Sequence, residues 1–238
     1  MNTAKIVSIQ IGMPKTYGSA DAVEPMDKSW TSGISKSAIA GRKWLGELNL
    51  DGDGQADLVH HGGAEKAVNV YAVEPYDYWR ANLNLPEMRF GAFGENFTTE
   101  GLLESVVCIG DVFAVGDAIV QISQPRQPCW KLARRWRIKD LAATVQRTGL
   151  TGWYFRVLQP GYVETGAHLT LLQRLFAKWT ISLANEIMHH RKNDFEAAQN
   201  LADCAALSAN WRESLLKRAD AGKAADTSAR LFGNIRNA

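Results

Sequence analysis

Residues 104–124 read ESVVCIGDVFAVGDAIVQISQ. Three short apolar runs are separated by Gly110-Asp111 and Gly116-Asp117. Runs of this length, rich in valine and isoleucine, predict strands, and glycine accepts the positive φ that a tight turn demands. The stretch therefore predicts three β runs in hairpin succession, with Cys108 inside the first. Working outward, KIVSIQIG (5–12) alternates at period two, and AHLTLLQ (167–173) predicts a further strand. AVEPYDYWRANL (72–83) predicts a helix with Pro75 near its first turn, and IKDLAATVQRTG (138–149) a second helix that stops at Gly149. Many short strands with only two internal helices predict a mainly β chain with some α, a barrel or sandwich rather than a doubly wound sheet.

The composition changes beyond Trp179. Alanine, leucine, lysine and glutamate dominate, and TISLANEIMHH (180–190), DFEAAQNLADCAAL (194–207) and SANWRESLLKRA (208–219) predict three short helices opened by Thr, Asp and Ser N-caps. The expected division is a β domain over 1–175 and a small three-helix accessory module over 176–238. That module holds no metal-ligand pattern and is expected to stand apart from any metal site. A chain of 238 residues, 46% of them hydrophobic, can bury a full core. The net charge of +2 argues against a polyanionic partner, so no nucleic-acid binding is expected. The three cysteines, 108, 129 and 204, are odd in number and lack paired spacing, which argues against a disulfide framework. No secretory signal and no membrane-spanning stretch is evident, so a cytoplasmic protein with reduced thiols is expected.

Several motifs fail on inspection. DGDGQADLVHHG (51–62) begins like a calcium loop, but Ala56 replaces the glycine of the sharp turn and Gly62 the bidentate glutamate. Neither a dinucleotide glycine motif, nor a P-loop, nor a serine nucleophile elbow is present. In VHHGGAEKAV (59–68), the glycines and Lys66 suit an anion-cradling loop, although the pattern alone favours a glycine turn with surface histidines. In FGAFGENFTTEGL (90–102), Asn96 can read a heterocycle or equally well stabilise a turn. QPRQPCWKL (124–132) places Cys129 between two prolines, with Arg126 and Lys131 nearby. Proline stiffens the loop, and cations favour the thiolate, the form that binds metals and attacks electrophiles. A plain loop cysteine beside surface cations fits this stretch as well. Cys108 and Cys204 read as buried small hydrophobes. The basic run KLARRWRIKD (131–140) reads as a solvated helix face rather than a nucleic-acid contact.

Taken together and in order, VHHGGAEKAVNVY, FGENFTTEGLLE, IGDVFAVGDAIVQISQPRQPCWKL and GLTGWYFRVLQPG resemble the MOSC domain, named for the C-terminal domain of molybdenum cofactor sulfurases. The resemblance is strongest to the stand-alone bacterial YiiM type. It runs over residues 5–173, and the helical tail resembles that group's three-helix extension. The resemblance implies a MOSC-like β-barrel holding the molybdenum cofactor, a pterin dithiolene bearing a phosphate. It makes Cys129 the protein's ligand to molybdenum and the catalytic centre. It places Arg126, His61, Lys66 and Asn96 on cofactor-binding positions, and Lys36 and Ser37 in GISKSAI resemble a pair seen near the cofactor in related amidoxime-reducing proteins. The implied activity is reduction of small N-hydroxylated compounds, such as hydroxylaminopurines or amidoximes, with detoxification as its use. Three scattered cysteines cannot hold an iron–sulfur cluster, so the electrons must come from a separate redox protein. The alternative is a non-catalytic cofactor carrier or sulfur-handling protein. Three roles are open to the tail: covering the barrel, contact in a homodimer, or docking of the electron donor.

Overall fold

The computed structural model describes residues 4–58 and 60–233. Its centre is an eight-stranded sheet in the order β12-β8-β9-β10-β6-β7-β1-β4. The strands are β1 (Lys5–Ile11), β4 (Ser37–Ile39), β6 (Val68–Ala72), β7 (Phe97–Glu100), β8 (Val112–Val115), β9 (Ala118–Pro125), β10 (Trp153–Gln159) and β12 (Leu169–Gln173). Two small ribbons flank it, β2 (Lys15–Tyr17) with β3 (Trp30–Ser32), and β5 (Lys43–Leu45) with β11 (Gly161–Val163). β6 and β7 pair in parallel, joined through α1 (Pro75–Leu83); the other ladders are antiparallel. The sheet curls far enough for β1 to meet the chain entering β12. Ile6 N donates to Ala167 O at 2.9 Å and Leu169 N to Ala4 O at 2.9 Å. A single Lys5–His168 bridge completes the turn. The expected barrel is thus nearly but not continuously laddered.

The hairpin predicted at Gly116-Asp117 joins β8 to β9, with Val115 opposite Ala118. Gly116 has φ 56°, and a Cβ there would lie 2.3 Å from Tyr162 O, so this turn needs glycine on both counts. The first of the three predicted runs is not a strand. Residues 104–107 turn, and Cys108 forms only an isolated bridge to Thr180. The cause is Asp111, whose buried carboxylate accepts from Cys108 N at 2.8 Å and is clamped by Arg174. That side-chain bond closes a turn where a ladder would otherwise run.

Among the described residues three internal α-helices form rather than two. α1 has Pro75 in its first turn and ends at Asn84 in the left-handed region. α2 (Trp130–Trp136) begins immediately after Cys129, and α3 (Leu141–Thr148) ends at Gly149 with φ 74°. These helices enclose an aromatic cluster in which Tyr71 stacks on Phe93 at 4.2 Å and accepts from Trp79 Nε1 at 2.6 Å.

The tail folds as α4 (Ile181–Asn185) running into a π turn at 186–190, then α5 (Phe195–Ala202) and α6 (Ala209–Ala221). Thr180, Asp194 and Ser208 cap the three starts, each accepting from a backbone N–H three residues on. A fourth helix, α7 (Ser228–Phe232), was not foreseen; it spans five residues and lacks a side-chain cap. The tail is not packed separately. Ile6, Val120 and Phe155 of the sheet lie in one continuous core with Trp179, Ile181, Leu201, Trp211 and Leu215. Among the described residues no helix is long and apolar enough to cross a membrane.

Candidate functional site

Four loops converge at one end of the curled sheet. β9 finishes at Pro125, and residues 126–129 then lead into α2. The loop before β6 supplies His61 and Lys66, that before β7 supplies Asn96, and that before β4 supplies Lys36. Together with Tyr154 of β10 and Lys131 of α2 they line a pocket with about 630 Å³ of empty space, part of it open to solvent. The loops approach closely: a Cβ on Gly33 would lie 2.2 Å from Gly54 O.

Cys129 is the thiol that faces this space. Its Sγ lies 3.4 Å from His61 Nε2. His61 is held neutral at pH 7. Burial lowers its pKa to about 4, Lys131, Arg126 and Lys66 push the same way, and Asp57 only partly opposes them. Arg126 is 5% exposed, and its Nη1 has no hydrogen-bond partner. A buried guanidinium left in that state is costly, which suits a pocket built to receive an anion. Beside it, burial raises the Tyr154 hydroxyl pKa and Arg126 opposes the rise. Lys66 is also buried, which lowers its pKa, and its Nζ donates to His60 O at 2.8 Å.

Lys36 enters the pocket as half of a buried ion pair with Asp53, the two side chains 5% and 0% exposed. Burial lowers the Lys36 pKa although Asp53 opposes it. Asp53 also accepts from Gly12 N at 2.9 Å and Asn96 Nδ2 at 2.9 Å. Asn96 lines the pocket, but its amide is committed to the protein: Oδ1 accepts from Asn69 N at 3.1 Å, and Nδ2 serves Gln10 O and Asp53. Its place is that of a tie between loops. Ser37 is not brought in. It sits exposed on β4 opposite Ile11 and faces a separate surface groove with Arg80 and Arg135.

Sequence reasoning missed Tyr154 and Asp53. Tyr154 follows the aromatic alternation of GLTGWYF, which marks a strand but not the face that meets the pocket. Asp53 was dismissed with the failed calcium loop; the loop is no calcium site, yet its third residue anchors Lys36 and Asn96. Cys108 and Cys204 are buried elsewhere, and burial raises both thiol pKa values. The basic run of α2 is partly buried. Arg135 donates to Ile34 O and Gly91 O at 2.5 and 2.6 Å, and so fastens the loops rather than meeting solvent. The tail does reach the site, against expectation: Arg230 of α7 donates to Pro128 O.

The curled sheet thus gathers one thiol, Cys129, with the buried cations Lys36, Lys66 and Arg126 around a single pocket. Residues 57–170 match the MOSC domain family, and residues 179–222 match the YiiM-like, 3-alpha helix domain. The protein YiiM of Escherichia coli is 40% identical over 85% of this chain and 91% of its own length. The crystal structure of YiiM from Geobacillus stearothermophilus superposes with a TM-score of 0.76 at 38% identity, covering 91% of this chain and 99% of that one. A protein of Gibberella moniliformis named "Reductase" is 35% identical over 74% of this chain, which corresponds to 31% of that longer protein. The chain belongs to the YiiM-type MOSC proteins.

MOSC domains are associated with molybdenum cofactor binding. The residues present fit such a group. Arg126 Nη1 is an unsatisfied buried donor that a phosphate or dithiolene anion would engage. Cys129 offers a soft ligand suited to a thiophilic metal. Among the described residues no three His, Cys, Asp or Glu side chains gather at metal-binding distance.

Proposed function

We propose that this chain holds the molybdenum cofactor in the Cys129 pocket and reduces N-hydroxylated compounds, hydroxylaminopurines or amidoximes among them, to the corresponding N–H compounds. The observation that carries the reading is the juxtaposition of Cys129 Sγ, His61 Nε2 at 3.4 Å, and the partnerless Nη1 of buried Arg126 in one pocket. The name of the Gibberella relative supports reductive chemistry. When bound, the cofactor supplies a two-electron redox centre; a separate redox protein supplies the electrons, and water leaves with two protons taken up.

The chain's residues set the conditions. Cys129 holds the metal through Sγ. Cysteine ligates a metal as the thiolate, and His61 Nε2, 3.4 Å from Sγ, would be the nearest acceptor for the thiol proton. Burial lowers the His61 pKa to about 4, so the ring would favour its neutral form beside a bound cofactor. Arg126 and Lys66 offset the anionic charge of the cofactor. The ion pair of Lys36 with Asp53 fixes the loops before β4 and β7 and limits water access.

The test is turnover of a hydroxylaminopurine with an artificial electron donor, measured alongside molybdenum content. Cys129→Ala abolishes turnover, whereas Cys108→Ala and Cys204→Ala retain most of it and lose only packing stability. An active Cys129→Ala protein overturns the proposal. Molybdenum-loaded wild-type protein that never turns over such a substrate favours the carrier reading.

A further inference from the structure

The terminal helix α7 lies beyond the matched helical domain, which ends at residue 222. It packs mainly against α2 and α3, and Leu231 is buried. Its contacts fall on both sides of Cys129. On one side, Arg230 Nη1 donates to Pro128 O, while Nη2 is tied to Gln146 Oε1 of α3 at 2.6 Å. On the other, Gly233 lies so close to the Trp130 indole that a Cβ would come within 3.0 Å of Cγ. Gly233 has φ 58°, so both its backbone and its lack of a side chain suit this seat. Residues 128 and 130 flank the thiol. Pinning them fixes the backbone of Cys129 at no cost in pocket space, because Arg230 approaches from outside the pocket lining.

We infer that α7 is a strap that positions Cys129, with Arg230 as its positioning residue. Among the described residues, Arg230 is the side chain that donates to Pro128 O in the loop between β9 and α2. Prolines limit φ at 125 and 128, and Arg126 N donates to Gly152 O at 3.0 Å, but Pro128 O is held by Arg230. A partly buried guanidinium bridging a carbonyl and an amide is a charge-assisted, two-legged contact, stronger than a neutral bond. Burial lowers its pKa to about 10, which leaves it charged at neutral pH. The strap therefore couples the end of the chain to the one group on which the proposed chemistry depends. The inference rests on the proposed function only in taking Cys129 as the working group.

The experiment is cysteine-resolved alkylation of the full-length protein without cofactor. Iodoacetamide is added in excess at one fixed pH, and peptides containing Cys129, Cys108 and Cys204 are quantified by mass spectrometry over time. Arg230→Ala is expected to speed labelling of Cys129 about tenfold, equivalent to about 1.4 kcal/mol of easier opening. Cys108 and Cys204 serve as internal controls and keep their wild-type rates. Arg230→Lys, which retains the charge and one donor, falls between wild type and Arg230→Ala. Gln146→Leu removes one leg of the bridge without touching the loop and gives a smaller rise; it carries the same comparison if Arg230→Ala does not fold. A Cys129 rate within about twofold of wild type in these variants overturns the strap, as does acceleration of all three cysteines together, which marks general loosening. The readout needs no molybdenum, so an active Cys129→Ala protein would remove the proposed function and leave this result standing.

Discussion

Arg126 shows how far the setting of a single residue can differ from its reading in the sequence. As a long cation in a proline-rich loop it reads as a surface contact. The structure buries it to 5% exposure with Nη1 unpartnered. Replacing buried charged groups by apolar side chains of similar volume is often neutral or stabilising. Arg126→Met is therefore expected to leave the cofactor-free protein as stable as wild type or raise its melting temperature by about 2–4 °C per kcal/mol gained. Molybdenum content after expression in a cofactor-competent host should fall sharply. A lower melting temperature with full molybdenum occupancy would show that Arg126 serves the fold instead. His61 and Cys129 illustrate the same limit from the other direction. Their residue types suggested chemistry, but 68 positions separate them, and no local pattern states that Nε2 and Sγ lie 3.4 Å apart.

At the scale of elements, local rules succeeded where local physics decides. Caps at Thr180, Asp194 and Ser208, the glycine stop of α3 and the Gly116 turn all formed where their side-chain and φ preferences require. They failed at Cys108, where the Asp111 carboxylate competes with the ladder, and at α7, which is too short to declare itself. The π turn after α4 carries a pH signature. His189 is buried against Trp211 at 6.1 Å, with its Nε2 unpartnered. Burial lowers its pKa to about 3, and Arg230, His190, Lys192 and Arg218 add to the effect. The unfolded chain takes up this proton near the ordinary imidazole value of 6.5 and the folded chain does not. Stability is thus unaffected above about pH 6.5 and is lost progressively as pH falls from there toward about 3, by an amount on the order of a few kcal/mol. His189→Met should flatten this part of the profile, measured as the difference in melting temperature between neutral and mildly acidic buffer. An unchanged difference would place the acid sensitivity elsewhere.

For the whole molecule, the decisive fact is that sheet and tail share one core. Trp179, Ile181, Leu201, Trp211 and Leu215 lie against the same cluster as Ile6, Val120 and Phe155. Each such side chain contributes about 1.5–3 kcal/mol when buried. A chain ending near residue 176 would therefore bare a broad apolar face and is expected to be insoluble, or to melt far below the full-length protein. A soluble, cooperatively melting product from that truncation would show that the β domain closes its own core. The sequence by itself determined the strand-rich class, the helical tail, the caps, the turns and the motif set that marks a MOSC chain, because each depends on spacing and backbone preference within about ten residues. Only the tertiary structure decided that the sheet curls until β1 meets the approach to β12, that Asn96 is a tie and Ser37 an outsider, and that α7 comes back to hold the cysteine loop. Those outcomes depend on which distant backbones pair and which side chains exhaust their hydrogen bonds on one another, and neither is written in any local stretch of sequence.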